Sequence, residues 1–217
     1  MGQYYKILNI DKKEMLVPWS WNNGAKLMEW SYCGNSMVRG FLTLLYNSWK
    51  GDRVYVVGDY AVTYTEDEID EAVQKTCKSF TQLLEEDNEL SYYDTLVEAI
   101  KFLGINNGET LYSFASENFE EITSDDIDNI NTDITYIYNH TTKQFINLNN
   151  IPVSRYSLKI FPLTLLLAMG NGKGGGDYFG EESIQYVGTW CSSSSSIEVS
   201  SDFIDYGYEE FNPDFIE

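Results

Sequence analysis

Hydrophobic and polar positions near the start of the chain form a pattern that returns in its second half. Apolar runs enclose a turn built mainly from Asn, Asp, Thr and Lys, once over residues 5–16 and once over residues 135–146. Apolar residues on both sides of such a turn are typical of a β-hairpin. Each hairpin leads into a tetrapeptide with proline at its second position, residues 17–20 and residues 151–154, where the proline should end the strand.

Two further segments repeat in the same order. An apolar, helix-like stretch covers residues 41–45 in the first half and residues 162–166 in the second. A strand is predicted to follow over residues 53–60 and over residues 183–190, and both end in Val-Gly, one polar residue and an aromatic. Four matches in one order predict two diverged copies of a single β-hairpin–helix–strand unit.

Helical patterns fill the segment between the two units. Apolar residues at spacings of three or four predict a helix over residues 66–84, and a second helix should end at Gly104. A third helix is expected over residues 111–122. The helix of the first unit should begin near Asn35 or Ser36, because both residue types are good N-caps.

Together these elements predict an α+β fold. Two pseudo-repeated β-hairpin–helix–strand units form one mostly antiparallel sheet system, with an acidic helical insertion between them. The expected boundaries are residues 1–65 for the first unit, 66–133 for the insertion, 134–201 for the second unit and 202–217 for an acidic aromatic tail, which forms either a short strand or a frayed end. The whole chain is expected to be one compact domain.

Charge is distributed very unevenly over the 217 residues, which carry a net charge of −20. Residues 1–65 have seven basic and five acidic side chains (net +2), residues 66–133 have three and 19 (net −16), and residues 134–217 have four and 10 (net −6). Such a surface repels nucleic-acid phosphates and anionic lipids, and attracts basic protein surfaces. The sequence therefore predicts a basic protein partner and no direct contact with nucleic acid or membrane.

The rest of the composition narrows the setting. No apolar run reaches the roughly 20 residues that span a bilayer, and the first residues lack a signal-peptide pattern, so a cytoplasmic location is expected. Cys33, Cys77 and Cys191 are far apart and form no C-x-x-C pair, which argues against a disulfide framework and a zinc site.

The most unusual segment is the glycine-rich stretch of residues 170–180. Its glycines permit positive φ and close approach of the backbone to a ligand, and consecutive amides could form an anion nest. It matches neither a Walker loop nor a dinucleotide-binding fingerprint. A flexible connection from helix to strand is the favoured interpretation, and contact with a small anionic ligand is the alternative. The candidate ligand residues are Gly172, Lys173, Gly174, Gly175, Gly176, Asp177 and Tyr178.

The corresponding segment of the first unit is shorter and aromatic. Trp49, Lys50 and Arg53 could stack a base or hold a phosphate. A tryptophan that pins a turn to the core is the commoner arrangement and is favoured here.

Other candidate chemistry is weaker. The single histidine, His140, falls in a predicted hairpin turn, so a catalytic relay would depend on an exposed group, and multi-histidine zinc ligation is excluded. Asp125, Asp126 and Asp128 lack the glycine and the final glutamate of an EF-hand loop, and a solvated helix start is favoured. Neither a metal nor a cofactor is predicted.

Several blocks of sequence carry a resemblance. They are MGQYYK at residues 1–6, GAKLMEW at 24–30, WKGDRV at 49–54, VGDYA at 57–61 and GNGKGGGDY at 170–178. Together they resemble a group of small bacterial or phage proteins to which no activity is assigned. The resemblance leaves out the acidic middle and the tail, and it implies no catalytic residue.

Three functions remain open. The leading hypothesis is a non-enzymatic binding protein whose acidic surface engages a basic protein, as a nucleic-acid-mimicking inhibitor of a bacterial defence system would do. The alternatives are a small-molecule or nucleotide binder using residues 170–180, and an immunity or antitoxin-like protein; an enzyme of unfamiliar type ranks last. The candidate partner-binding residues are Glu66, Asp67, Glu68, Asp70, Glu71, Glu85, Glu86, Asp87, Asp125, Asp126 and Asp128.

Overall fold

Helices and two mixed β-sheets make up the described part of the chain, so the α+β class is confirmed. The computed structural model describes residues 3–59, 61, 93–105, 109–131, 133–154, 157–170 and 184–213. The predicted helix over residues 66–84 lies outside these residues.

The first sheet contains five strands in the order β4-β2-β1-β3-β7. Strand β1 pairs antiparallel with β2 and with β3, whereas β4 lies parallel to β2 and β7 lies parallel to β3. Every residue of β1 and β3 is buried, because these strands lie inside the sheet and both of its faces are covered. The strands are Tyr5–Asn9 (β1), Glu14–Leu16 (β2), Val54–Gly58 (β3), Glu120–Glu121 (β4) and Ala168–Met169 (β7).

The second sheet contains four strands in the order β8-β5-β6-β9. Strand β5 pairs antiparallel with β6 and with β8, and the short strand β9 lies parallel to β6. The strands are Tyr136–Asn139 (β5), Gln144–Asn147 (β6), Ile197–Ser200 (β8) and Glu209–Glu210 (β9). The structure thus has two sheets, and each combines antiparallel pairs with parallel ones.

Both predicted hairpins are confirmed, and each depends on a buried asparagine at the end of its first strand. The side-chain oxygen of Asn9 accepts hydrogen bonds from the backbone amides of Asp11 and Lys12, at 3.0 Å each. The side-chain oxygen of Asn139 does the same in the second hairpin, at 3.1 and 3.2 Å. Lys13 and Lys143 close the two turns, both with a φ of +56°.

The third strand of the second unit differs from the prediction. Residues 54–58 form β3 as expected, but the described part of the second predicted strand, residues 184–190, is not extended: Ile184–Tyr186 is a 3₁₀ turn and further turns follow. The reason is that Gly188 and Trp190 donate their amide hydrogens to the end of a helix, at Leu165 and Leu166, instead of to a strand. The strand that pairs with β5 is instead β8, which begins at Ile197.

Five α-helices are present in the described residues. The helix of the first predicted unit begins at Ser36. The side chain of Asn35 caps it by accepting a hydrogen bond from the amide of Met37 at 2.9 Å. The helix predicted over residues 111–122 is shorter in the structure. It ends at Asn118, because the residues that follow pair with β2 as strand β4. The helices are Leu27–Trp30 (α1), Ser36–Tyr46 (α2), Tyr93–Leu103 (α3), Leu111–Asn118 (α4) and Pro162–Leu166 (α5).

The main core lies between the two sheets. Helix α2 is at its centre, and the inner faces of both sheets pack around it together with α5. Ile7 and Val56 come from the first sheet, and Ile137 and Val199 come from the second. One apolar core therefore joins the two sheets.

The outer faces of the two sheets are covered in different ways. On the first sheet, Leu8 and Val57 pack against Leu96 of α3 and Leu111 of α4. On the second sheet, the short connection between β8 and β9, residues 201–208, crosses the outer face; we call it the strap. The two coverings occur at equivalent points of the chain. Helices α3 and α4 lie between β3 and the short parallel strand β4, and the strap lies between β8 and the short parallel strand β9.

The segment predicted as an insertion is not separate from the first unit. Strand β4, which belongs to residues 66–133, completes the edge of the first sheet. Strand β7 comes from the second half of the chain and completes the opposite edge. Likewise, β9 lies in the predicted tail but belongs to the second sheet.

None of the helices that the structure describes is long and apolar enough to cross a membrane.

Gly40 provides a test of the central packing. A Cβ at this position would lie 2.9 Å from Cζ3 and 3.1 Å from Cζ2 of the buried Trp21 ring, and closer still to Cη2. Gly40→Ala should lower the free energy of unfolding by about 1–3 kcal/mol, although alanine is the better helix former by about 1 kcal/mol. Urea denaturation measures this. Arg39→Ala, at an exposed position of the same helix, is the control, and an equally stable Gly40→Ala would contradict the packing.

Candidate functional site

The outer face of the second sheet brings together polar and aromatic side chains. Because side chains alternate along a strand, Tyr136 and Tyr138 of β5 lie on the face opposite to the core residue Ile137. The register places Phe145 beside Tyr138 on one side and Glu198 beside it on the other. The result is a face with tyrosine, phenylalanine and glutamate in neighbouring positions.

His140 stands at the edge of this face, in the turn that follows β5. Its Nε2 lies 2.9 Å from a carboxylate oxygen of Glu198, and its Nδ1 lies 3.0 Å from the hydroxyl oxygen of Tyr208. The hydroxyl of Tyr206 donates to the same Glu198 oxygen at 2.9 Å, and Lys50 approaches the other oxygen at 3.4 Å. These five residues form one connected network, which we call the histidine network.

The electrostatics of Glu198 follow from these partners. Partial burial by itself would raise the pKa of Glu198, but the hydrogen bonds from Tyr206, His140 and Lys50 outweigh this effect and lower the pKa below its ordinary value. The hydrogen bond between Tyr206 and Glu198 also raises the pKa of Tyr206, because it favours the protonated hydroxyl. Glu198 is thus held as a carboxylate and Tyr206 as a donor.

The strap supplies two of the five network residues and is fastened at further points. Its Ile204 amide donates to the hydroxyl oxygen of the buried Tyr138 at 2.7 Å. Phe203 packs edge-on against Tyr136 and Phe145, with ring centroids 5.5 Å apart in both cases. Tyr206 packs edge-on against Tyr138 at 5.3 Å. The strap is therefore held by aromatic contacts as well as by the network.

The arrangement favours presentation of a surface over proton transfer to a substrate. Both ring nitrogens of His140 already have partners within the protein, so a ligand would have to displace Glu198 or Tyr208 to reach them. Meanwhile the rings of Phe203 and Tyr206 remain 53% and 41% exposed. The network holds the strap in place, and the strap offers aromatic rings to solvent.

Sequence reasoning missed this site because it treated His140 as an exposed turn residue. The histidine is half-buried, and its partners lie 58 and 68 residues away along the chain. One signal was available: a Tyr-Gly-Tyr motif in the acidic tail, which offers two hydroxyls close together in sequence. Only the pairing of β5 with β8 shows that Glu198 is adjacent.

The predicted residues Trp49, Lys50 and Arg53 have separate environments. Trp49 is fully buried, packs edge-on against Phe41, and donates its indole N–H to Glu14, which anchors the loop to the core. Lys50 reaches the histidine network.

Arg53 turns to other partners. Its guanidinium pairs with Asp11 and lies 4.0 Å from the centre of the Phe102 ring. The hydrogen bond from Arg53 is the main reason why the pKa of Asp11 is lowered. A ligand contact for Trp49, Lys50 and Arg53 stays a prediction.

The glycine-rich candidates, residues 172–178, lie outside the described residues, and only the start of their segment is placed. Gly170 follows β7, which runs parallel to β3, so Gly170 lies near Gly58 at the far end of β3 from Arg53. The start of the glycine-rich segment and Arg53 are therefore separated by the length of β3, roughly 16 Å for five residues.

The predicted acidic residues are placed only in part. Asp125, Asp126 and Asp128 are exposed, and the first two lie in the 3₁₀ turn Ser124–Asp126. Asp126 caps this turn by accepting hydrogen bonds from the amide and hydroxyl of Thr123, which lowers its pKa. The other candidates, Glu66, Asp67, Glu68, Asp70, Glu71, Glu85, Glu86 and Asp87, lie outside the described residues.

The described ranges contain no group of three or more His, Cys, Asp or Glu side chains that could hold a metal ion. Comparison of the chain with protein families, with curated proteins and with solved structures finds no match.

The lowered pKa of Glu198 predicts how stability depends on pH. Folding favours the ionised carboxylate, so its contribution is complete above the ordinary value of 4.5 and is lost as the pH falls through the lower pKa of the folded state. Glu198→Gln should unfold more easily than the wild type at neutral pH, by about 1 kcal/mol. Urea denaturation between about pH 7 and pH 3 should show the two stability curves converging at the acid end. Curves that stay parallel would contradict the network.

Proposed function

We propose that this protein is a non-enzymatic binding protein that engages a basic protein partner through an acidic surface. The observation that carries the proposal is a run of uncompensated carboxylates. Six of the twelve residues 117–128 are acidic, and all six are exposed. No Lys or Arg occurs between residues 102 and 142.

Local structure accounts for only part of this acidic run. Glu121 accepts a hydrogen bond from Ser20, and Asp126 caps its own turn. The other four, Glu117, Glu120, Asp125 and Asp128, form no ion pair with any Lys or Arg that the structure describes. The described residues thus supply no neutralising cation for these four carboxylates, and a basic protein surface would supply one efficiently.

The same charge pattern suits a protein that imitates nucleic acid. Closely grouped carboxylates on a folded surface resemble phosphates to a protein that binds DNA or RNA, which is the basis for proposing an inhibitor of a bacterial defence system. An immunity or antitoxin-like role would use the same surface, and identification of the partner distinguishes the two.

We also infer that the two sheets derive from one duplicated unit. In both, the hairpin's first strand pairs with its second strand and with a third, and a short Glu-Glu strand lies parallel to the second. The pairs Asn9 and Asn139, and Lys13 and Lys143, occupy equivalent turn positions. On this interpretation, the connection between β3 and β4 corresponds to the strap between β8 and β9. The longer connection of the first unit leads into the acidic run.

Charge removal tests the main proposal. The variant Glu117→Gln, Glu120→Gln, Asp125→Asn, Asp128→Asn should bind its partner about tenfold more weakly at low salt, because surface charges steer and hold a basic protein. The partner is first captured from a bacterial lysate, identified, purified and then titrated by calorimetry. Wild-type binding should weaken between about 0.05 and 0.5 M salt as the Debye length shortens.

A matched control exchanges Asp and Glu at the same four positions, which preserves the charge and alters the shape. This control should bind like the wild type. Capture of no basic protein at low salt, or equal loss of binding in both variants, would rule against a charge-driven partner.

A second candidate function, a small-molecule or nucleotide binder, is favoured by one observation. Strands β3 and β7 are parallel and end side by side, β3 at Gly58 and β7 just before Gly170, and the carboxyl ends of parallel strands are common ligand sites. A Cβ at Gly170 would lie 2.6 Å from the Tyr5 hydroxyl, so the backbone is closely packed there.

Thermal-shift measurements test this second candidate. A nucleotide at about a hundred times its Kd should stabilise the fold by about 2.7 kcal/mol and raise Tm by several degrees. Lys173→Ala should abolish the thermal shift, whereas Lys101→Ala, at an exposed position of α3, should retain it. The absence of a shift with nucleotides and signalling dinucleotides would end this candidacy.

A further inference from the structure

We infer that the outer surface of the strap, with the adjoining strand β9, forms a binding site for an arginine-bearing segment of the basic partner. This inference rests on the proposed function and names a second place on the molecule where that partner is recognised. It is carried by the combination of exposed aromatic rings, uncompensated carboxylates and a fixed backbone at one place.

The aromatic rings are exposed on a rigid support. Phe203 and Tyr206 are the two large hydrophobic side chains of the strap that face solvent, at 53% and 41% exposure. Both rings are held edge-on by residues of β5 and β6, and Tyr206 is also fixed through its hydroxyl. A partner would meet rings that are already ordered, which reduces the entropic cost of binding.

The charge around these rings is negative. The strap contributes Asp202 and Asp205, and β9 follows directly with Glu209 and Glu210; all four are exposed. Within the described residues, none of the four forms an ion pair with a Lys or Arg. The nearest cation of the network, Lys50, is already engaged by Glu198. The surface is therefore complementary to positive charge.

Arginine fits this surface better than lysine does. A guanidinium is planar, so it can stack on the face of Tyr206 or Phe203 and still direct its N–H groups to a neighbouring carboxylate such as Asp202. A lysine ammonium makes a point contact and is more strongly hydrated. A nucleic acid is disfavoured by the carboxylates, although aromatic rings alone would accept its bases.

The two sheets differ in what covers their outer faces. There, the equivalent outer face is apolar and is covered by two helices, α3 and α4. On the second sheet, the corresponding positions are Tyr136, Tyr138, His140 and Phe145, and the part of the chain that the structure describes covers them with the eight-residue strap alone. The second face thus retains polar and aromatic groups that suit a polar, cationic partner rather than a further apolar helix.

Fluorescence polarisation of labelled peptides with the full chain tests the site. An arginine-rich peptide should bind more tightly than the same peptide with lysine in place of every arginine. Phe203→Ala and Asp202→Lys should each weaken binding of the arginine peptide about tenfold. Asp202→Lys keeps the result interpretable if Phe203→Ala unfolds, because Asp202 contacts Ser200 through its backbone, and its carboxylate forms no hydrogen bond or ion pair with the residues that the structure describes.

Tyr46→Ala is the matched control, since Tyr46 is a similarly exposed aromatic that lies at the end of α2 and not in the strap. It should leave peptide affinity unchanged. Equal affinity for the arginine and lysine peptides, or unchanged binding by both strap variants, would overturn the site. Self-association of the chain that is abolished by Phe203→Ala would assign the face to a second copy and also overturn it.

The two proposals fail in distinguishable ways. If the strap variants bind the purified partner normally but the four-site charge variant does not, the strap site is wrong and the acidic-surface function stands. If no basic protein binds the wild type at low salt, the proposed function fails whatever the peptides do.

Discussion

Helix α2 buries eight of its eleven residues, so apolar groups must surround it on almost every side. Neither sheet is large enough to do this alone, and the inner faces of both, together with α5, complete the enclosure. This requirement explains why β7, from the second half of the chain, is paired in the first sheet: it continues directly from α5. Gly40 permits the closest contact, because the ring of Trp21 occupies the place of a side chain.

Once the inner faces are shared, the two outer faces remain to be covered, and the chain covers them unequally. The first sheet receives two helices over an apolar face, whereas the second receives a short aromatic strap over a polar one. The helical covering leads into the acidic run of residues 117–128, and the strap leads into Glu209 and Glu210. Both proposed recognition surfaces therefore belong to the same kind of connection, in two units that we infer to be related.

Much of the fold could be predicted from local patterns. The two hairpins, the start of α2 at its asparagine cap, and the positions of β3 and α5 depend on residues close together in sequence. The predictions were wrong where residues distant in sequence determine the local structure. Residues 184–190 form turns because backbone amides among them donate to the end of α5. Helix α4 ends early because the residues that follow it pair with β2. For the site, Lys50 was identified, but His140 was set aside and Glu198 was not considered.

The sequence by itself determined the α+β class, the two hairpins and the concentration of negative charge in the middle of the chain, since these follow from short-range periodicity, turn chemistry and composition. Only the tertiary structure decided that the acidic run begins at an edge of the first sheet, and that His140, Glu198 and Tyr208 meet. Strand pairing and strap packing bring together residues that are 58 and 68 positions apart, and no local pattern encodes such a distance.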